Sequence, residues 1–215
     1  GQAQATQLNE QSMSLKVTDL EPGKSRGVYR NTSLDLRIYN RLQMFVHNEA
    51  LIDDLNELQN GDISLFVRFG SDVKNNYYEY EIPLKLTEPG LYNNNNERDR
   101  EAVWPTENMF DFPLSVLTNA KVARNKAKRA GNAGVGNTIP YTIYDDENGK
   151  PQNRITVLGN PTLEEVTTIM IGVRNNGQHE ATGEVWVNEL RLSQFNEQGG
   201  VAAMANASLS LSDIA

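Results

Sequence analysis

The sequence predicts a mainly β fold, an antiparallel β-sandwich of the jelly-roll type found in carbohydrate-binding modules, with one or two short helices and long polar loops. Apolar residues recur at every second position in several short segments, and clusters of Gly, Pro, Asn and Asp separate them. A closing segment of the WVNELRL kind is similar to the last strand of such sandwiches. About eight strands follow from this spacing.

From the N-terminal end, Met13, Leu15 and Val17 alternate before a turn at Glu21, Pro22 and Gly23. Residues 33–41, SLDLRIYNR, read as a helical turn. Leu42, Met44 and Val46 then share one face of a strand, and Gln43, Phe45 and His47 share the other. In residues 48–62, Leu51, Leu55 and Leu58 stand at helical spacing among acidic residues, which predicts a short surface helix.

Residues 62–69 place Ile63, Leu65, Val67 and Phe69 inward and Asp62, Ser64 and Arg68 outward. Residues 77–86 place Tyr78, Tyr80, Ile82, Leu84 and Leu86 inward, against Glu79, Glu81 and Lys85. The polar link SDVKNN between them has hairpin length, so the two form an antiparallel pair. Tyr77, Tyr78 and Tyr80 admit a sugar-stacking role, but two of the three share the apolar face, which favours core packing.

Residues 88–104 are too polar to bury and read as a mobile loop. Asp111 and Pro113 open a helix with Leu114, Leu117 and Lys121 along one face. Its end carries Lys121, Arg124, Lys126, Lys128 and Arg129, favourable beside the negative end of the helix dipole. These are read as a solvated helix end, the other reading being contact with anionic lipid or a protein. In residues 131–138, GNAGVGNT has the glycine spacing of a phosphate loop, but Asn137 stands where the lysine belongs, and Pro140 opposes the helix that should follow. Nucleotide binding is rejected there. Residues 145–150, DDENGK, lack calcium-loop ligand spacing and form a turn between strands near residues 141–143 and 155–158. Ile169, Ile171 and Val173 line one face of a further strand.

In the last strand of the sandwich, strict alternation puts Trp186, Asn188, Leu190 and Leu192 on one face and Val185, Val187, Glu189 and Arg191 on the other. Beyond Gly199 and Gly200, the apolar residues Ala203, Ala205, Ala207, Leu209 and Leu211 alternate with Met204, Asn206, Ser208, Ser210 and Ser212. Such a segment suits a membrane barrel strand, and as an isolated piece it would expose an apolar strip. The expected organisation is therefore residues 1–12 as a disordered or cloning-derived lead, 13–198 as the sandwich, and 199–215 as the start of a barrel-type strand or a tail. The chain is read as part of something larger.

Composition narrows the function. The 215 residues include no cysteine, which removes disulfides, thiol catalysis and thiolate metal sites. A net charge of -8 disfavours nucleic acid, whose phosphates need clustered Lys and Arg. No apolar run approaches the roughly 20 residues of a membrane helix, and the start GQAQATQLNEQS has neither the basic end nor the apolar core of an export signal. His47 and His179 are far apart and outside any two-histidine metal spacing, so His47 is read as a structural histidine on its strand. No nucleophile elbow and no distinct carboxylate pair is seen. No catalytic, cofactor-binding or metal-binding residue is assigned, and the chain is not read as an enzyme.

The run VWVNELRLSQFNEQGGVAAMANASLSLSDIA resembles a segment of the SprA (Sov) family, the outer-membrane translocon of the type IX secretion system, first met in gliding motility. LQMFVHNE, LFVRFGSD, NNYYEYEIPLKLT, FPLSVLTNAKVARN and ITVLGNPTLEEVTTIMIGVRN resemble the same family in the same order. The resemblance implies a non-catalytic structural or interaction domain at the outer membrane, exposed to the periplasm or the cell surface. Its partners would be other parts of the translocon barrel, secretion-system subunits and exported cargo, with no nucleic acid, cofactor or small-molecule substrate. The competing reading is a glycan-binding jelly-roll module at the cell surface, which predicts exposed, coplanar aromatic rings.

Overall fold

The alternation of Ile63, Leu65, Val67 and Phe69 folds as the expected hairpin. Strand β4 (Ile63–Asp72) pairs antiparallel with β5 (Asn76–Pro83), with Val67 opposite Tyr80 and Phe69 opposite Tyr78. In this computed structural model, residues 12–195 and the strand 204–208 are described. The other strands are β1 (Ser12–Leu20), β2 (Ser25–Leu34), β3 (Arg41–Ala50), β6 (Phe110–Pro113), β7 (Tyr141–Asp145), β8 (Lys150–Leu158), β9 (Val166–Asn175), β10 (Ala181–Phe195) and β11 (Met204–Ser208). Two helices, α1 (Glu97–Val103) and α2 (Ser115–Arg129), join them.

All pairings are antiparallel, in two sheets. One runs β2-β9-β4-β5-β8-β7; the other runs β1-β10-β3-β6, with β11 also on β10. Their inner faces bury Leu65, Val67, Tyr80, Ile171 and Val173 from the first sheet and Leu42, Met44, Phe112, Val185 and Val187 from the second. This is a β-sandwich. Each such side chain contributes about 1.5–3 kcal/mol by leaving water.

Sequence and structure part at particular places. The segment 25–34, not anticipated as a strand, forms β2 at one sheet margin. The helical turn expected in residues 33–41 is the single 3-10 turn Leu36–Ile38, capped by Asp35. No helix forms in residues 51–62, because local side chains take the backbone donors a helix would use. Asp54 accepts from the Leu58 N–H at 2.8 Å and Asp62 from the Gln59 N–H at 2.8 Å. Conversely, the expected loop 88–104 contains α1, whose first turn is capped by Asn96 and carries Glu97 and Asp99 beside the positive end of the helix dipole.

Asp111 and Pro113 do not open a helix. They belong to β6, paired with β3, and α2 begins two residues after Pro113. Nor is the end of α2 uniformly solvated. Arg124 is fully buried, donating to the Gly159 carbonyl and to Asn125 Oδ1 at 3.0 Å, and Lys121 donates to the Pro161 carbonyl at 2.7 Å. Lys126, Lys128 and Arg129 are exposed as expected. The segment 131–138 forms no strand or helix, and the Asn137 carbonyl accepts from the Gly159 N–H. Residues 146–149 make the expected turn between β7 and β8, with Gly149 at φ 69°.

The largest departure lies in β10. Val185 and Val187 are buried, but so are Leu190 and Leu192, which strict alternation puts on the opposite face. An extra residue accounts for it: Asn188 pairs with Phe45 and Arg191 with Gln43, so three steps along β10 match two along β3. Glu189, at φ 51°, takes up the bulge. At the same place β10 exchanges one neighbour for another. Ser12 of β1 pairs with Asn188, and Ser208 of β11 pairs with Arg191. Residues 191–193 also pair with β3, so β1 and β11 occupy the same side of β10 in succession. The alternating tail thus begins as a strand in this sheet; the rest of 199–215, like the lead 1–11, lies outside the described residues.

Candidate functional site

The outer face of the six-stranded sheet carries the densest array of charge. Ser64, Glu79 and Glu81, expected to face solvent, are buried there at 0%, 3% and 2% exposure. Arg68 donates to Glu79 at 2.5 Å, Arg154 to Glu81 at 2.6 Å, and Arg174 reaches both carboxylates, Glu79 at 3.0 Å. Ser64 donates to Glu81. Register explains the convergence, since Arg68 lies opposite Glu79 across β4–β5 and Arg154 opposite Glu81 across β5–β8.

The Phe66 ring lies between the Arg68 and Arg174 guanidinium groups, at 4.9 and 4.7 Å, and Arg68 also covers Tyr77 at 4.1 Å. Phe66 has room because Gly172 faces it; a Cβ at Gly172 would stand 2.4 Å from Phe66 Cζ. Burial alone would raise the Glu79 carboxyl, but Arg174 and Arg68 outweigh it and hold it below the usual carboxylate range. The Arg174 guanidinium is likewise held above its ordinary value against burial by Glu79 and Glu81. With both acids paired, the array braces the sheet.

The tyrosines that admitted a sugar-binding role are core residues. Tyr78 donates to the Pro161 carbonyl at 3.0 Å, and Tyr80 to Asp145 Oδ2 at 2.6 Å. Burial pushes the Tyr78 phenol up to about 12, and burial together with Asp145 raises that of Tyr80. Tyr77 is buried under Arg68.

The outer face of the five-stranded sheet is different. Phe45 and Trp186 are 39% and 36% exposed on adjacent strands, diagonal neighbours because Phe45 pairs with Asn188. Helix α1 lies beside them. Its residues Glu97, Arg100 and Glu101, with Trp104 at its C-cap, follow one helical stripe at spacings of three and four. Together with Phe45, Asn188 and Glu189 they line a groove of about 420 Å³.

His47 fastens this helix to the sheet. Its Nδ1 lies 2.8 Å from the Val103 carbonyl and 3.0 Å from Thr87 Oγ1, while Thr87 Oγ1 donates to the Ala102 carbonyl at 3.1 Å. Nε2 lies 3.1 Å from Glu49, and the imidazole meets the Trp104 ring at 5.9 Å, tilted by 58°. His47 is thus a positioning group for Trp104. His179 lies in the exposed β9–β10 turn.

Sequence reasoning singled out no residue of this groove as a site. The overlooked signals were the Asn96 cap, which announces α1, and Trp104 four residues beyond Arg100. Among the described residues, no cluster of three or more His, Asp or Glu is placed to hold a metal, and no helix is long and apolar enough to cross a membrane.

A family model described as a motility related/secretion protein, SprA_N, matches residues 1–215. No curated protein matches the chain.

Proposed function

Because the chain belongs to the SprA_N family of motility related/secretion proteins, we propose that it is a non-catalytic structural and interaction domain of the outer-membrane translocon for type IX secretion and gliding motility. It acts by packing and recognition, facing the periplasm or the cell surface. Its partners are the translocon wall, other secretion-system subunits and exported cargo. The family match along all 215 residues carries this reading. Two features of the geometry support it. The buried Glu79 and Glu81 are paired within their own sheet, and an aromatic groove stays open on the outer face of the other sheet. In addition, β10 continues past β1 to hold β11, the first part of the alternating tail.

A photo-crosslinking residue at Phe45 of the full-length protein, in cells that secrete through this system, tests the reading. Crosslinks to secretion subunits or exported cargo are expected. Normal secretion and motility after removal of residues 13–198, with no crosslinked product from Phe45, would overturn it.

A further inference from the structure

The groove on the five-stranded sheet has a charge and a shape of its own. Glu97 and Glu101 stand one turn apart on α1, and neither carboxylate has a hydrogen bond or ion pair among the described residues. Like charges at this spacing destabilise a helix. The Arg100 guanidinium, on the same helical stripe, is turned to the Asn94 carbonyl at 2.8 Å. A third carboxylate, Glu189, arrives from β10 only because of the bulge. Strict alternation would point it between the sheets beside Val185 and Val187. The bulge re-aims it outward, at a positive φ unusual for a residue other than glycine, and it pairs with Arg191 on the same face. Backbone strain at this place coincides with the groove wall.

Beside these acids lie two aromatic rings, Phe45 and Trp104, with Trp186 extending the apolar surface diagonally along the sheet. Aromatic faces attract cations, and they also accommodate the methylene stem of a long basic side chain. The Glu97 and Glu101 carboxylates, unpaired among the described residues, supply the complementary charge. A neutral sugar would use the rings but leave the acids unneutralised.

We propose that this groove receives an arginine or lysine side chain presented by an extended segment of a partner protein, with Phe45 and Trp104 flanking its stem and Glu97 and Glu101 neutralising its head. The assignment needs only the groove, so it stands or falls apart from the translocon reading.

The test uses the 215-residue chain with Trp186→Phe, which leaves Trp104 as the sole indole. It is titrated with the capped peptide Gly-Gly-Arg-Gly-Gly and with the same peptide carrying citrulline, the neutral isostere of arginine. Saturable change of the Trp104 fluorescence is expected, with citrulline binding at least about tenfold weaker. The double change Glu97→Gln with Glu101→Gln should weaken the arginine peptide by about tenfold as well, and Glu164→Gln with Glu165→Gln, in the β8–β9 loop, should not. Equal binding of the two peptides, an effect of the Glu164 and Glu165 changes as large as that of Glu97 and Glu101, or preferential binding of the neutral oligosaccharide cellotetraose would each overturn the proposal.

Discussion

Tyr80 and Phe112 stack face to face across the sandwich, with ring centroids 3.8 Å apart and planes 4° from parallel. One ring comes from β5 and the other from β6, so the pair joins the two sheets, and Phe110 closes on the Tyr80 ring at 5.8 Å. The Tyr80 hydroxyl extends the joint by donating to Asp145 and accepting from Asn153 at 3.1 Å.

Tyr80→Phe keeps the stack but leaves Asp145 and Asn153 each short of one buried partner. A loss of about 1–3 kcal/mol is expected. Phe112→Ala removes the ring itself and should cost about 3–5 kcal/mol. Urea unfolding followed by fluorescence measures both, and a Tyr80→Phe protein as stable as the parent would refute the buried network.

Alkali should unfold the protein through its buried phenols. The Tyr78 phenol is raised from 10.0 to about 12 in the folded state, and the Tyr80 phenol is raised further. A raised value means that folding favours the protonated form. The contribution is therefore complete below pH 10 and is lost progressively as pH climbs towards 12. Absorbance of tyrosinate against pH, recorded with circular dichroism, should show these two phenols ionising only as the fold is lost.

Acid acts through the opposite sign at Glu79. Its folded value lies below the ordinary 4.5, so its stabilisation is complete above that pH and lost as pH falls through the folded value. Glu79→Gln should remove this part of the acid response. At neutral pH it should also destabilise by about 3 kcal/mol, since Arg68 and Arg174 lose a buried partner. Thermal melts of both proteins between pH 3 and pH 7 check the two effects together.

The bulge makes an unusual prediction about deletion. Without Glu189, Leu190 would follow Asn188 directly and still face inward opposite Met44, which restores an unbroken ladder with β3. The deletion protein is expected to stay folded, with a stability change of no more than about 1 kcal/mol. Replacing Leu190 with Glu, by contrast, places a carboxylate in the core and should prevent folding. Circular dichroism and melting temperature distinguish the outcomes.

How much was legible in the sequence differed by region for identifiable reasons. The β4–β5 hairpin could be read because its inner positions alternate without interruption and its link is polar. Glu79 and Glu81 looked solvent-facing because each was judged beside its own strand neighbours, whereas their partners Arg154 and Arg174 come from strands far along the chain. The β10 phase error has a different origin. One extra residue inverts every later position, and nothing local to Glu189 marks it. The leucines of residues 51–58 misled because spacing says nothing of the Asp54 and Asp62 side chains that compete for backbone donors. The groove was missed through α1: the Asn-rich run hid a capped first turn, and without that helix Glu97, Glu101 and Trp104 have no common face.

The succession of β1 and β11 along β10 has a mechanical consequence. Ser12 and Ser208 sit beside Asn188 and Arg191, which the bulge brings to the span of two residues along β3, or about 7 Å. Any polypeptide joined at both places would enter and leave the sandwich at nearly one point, an arrangement that lets a folded unit be inserted without spreading the segments on either side of it.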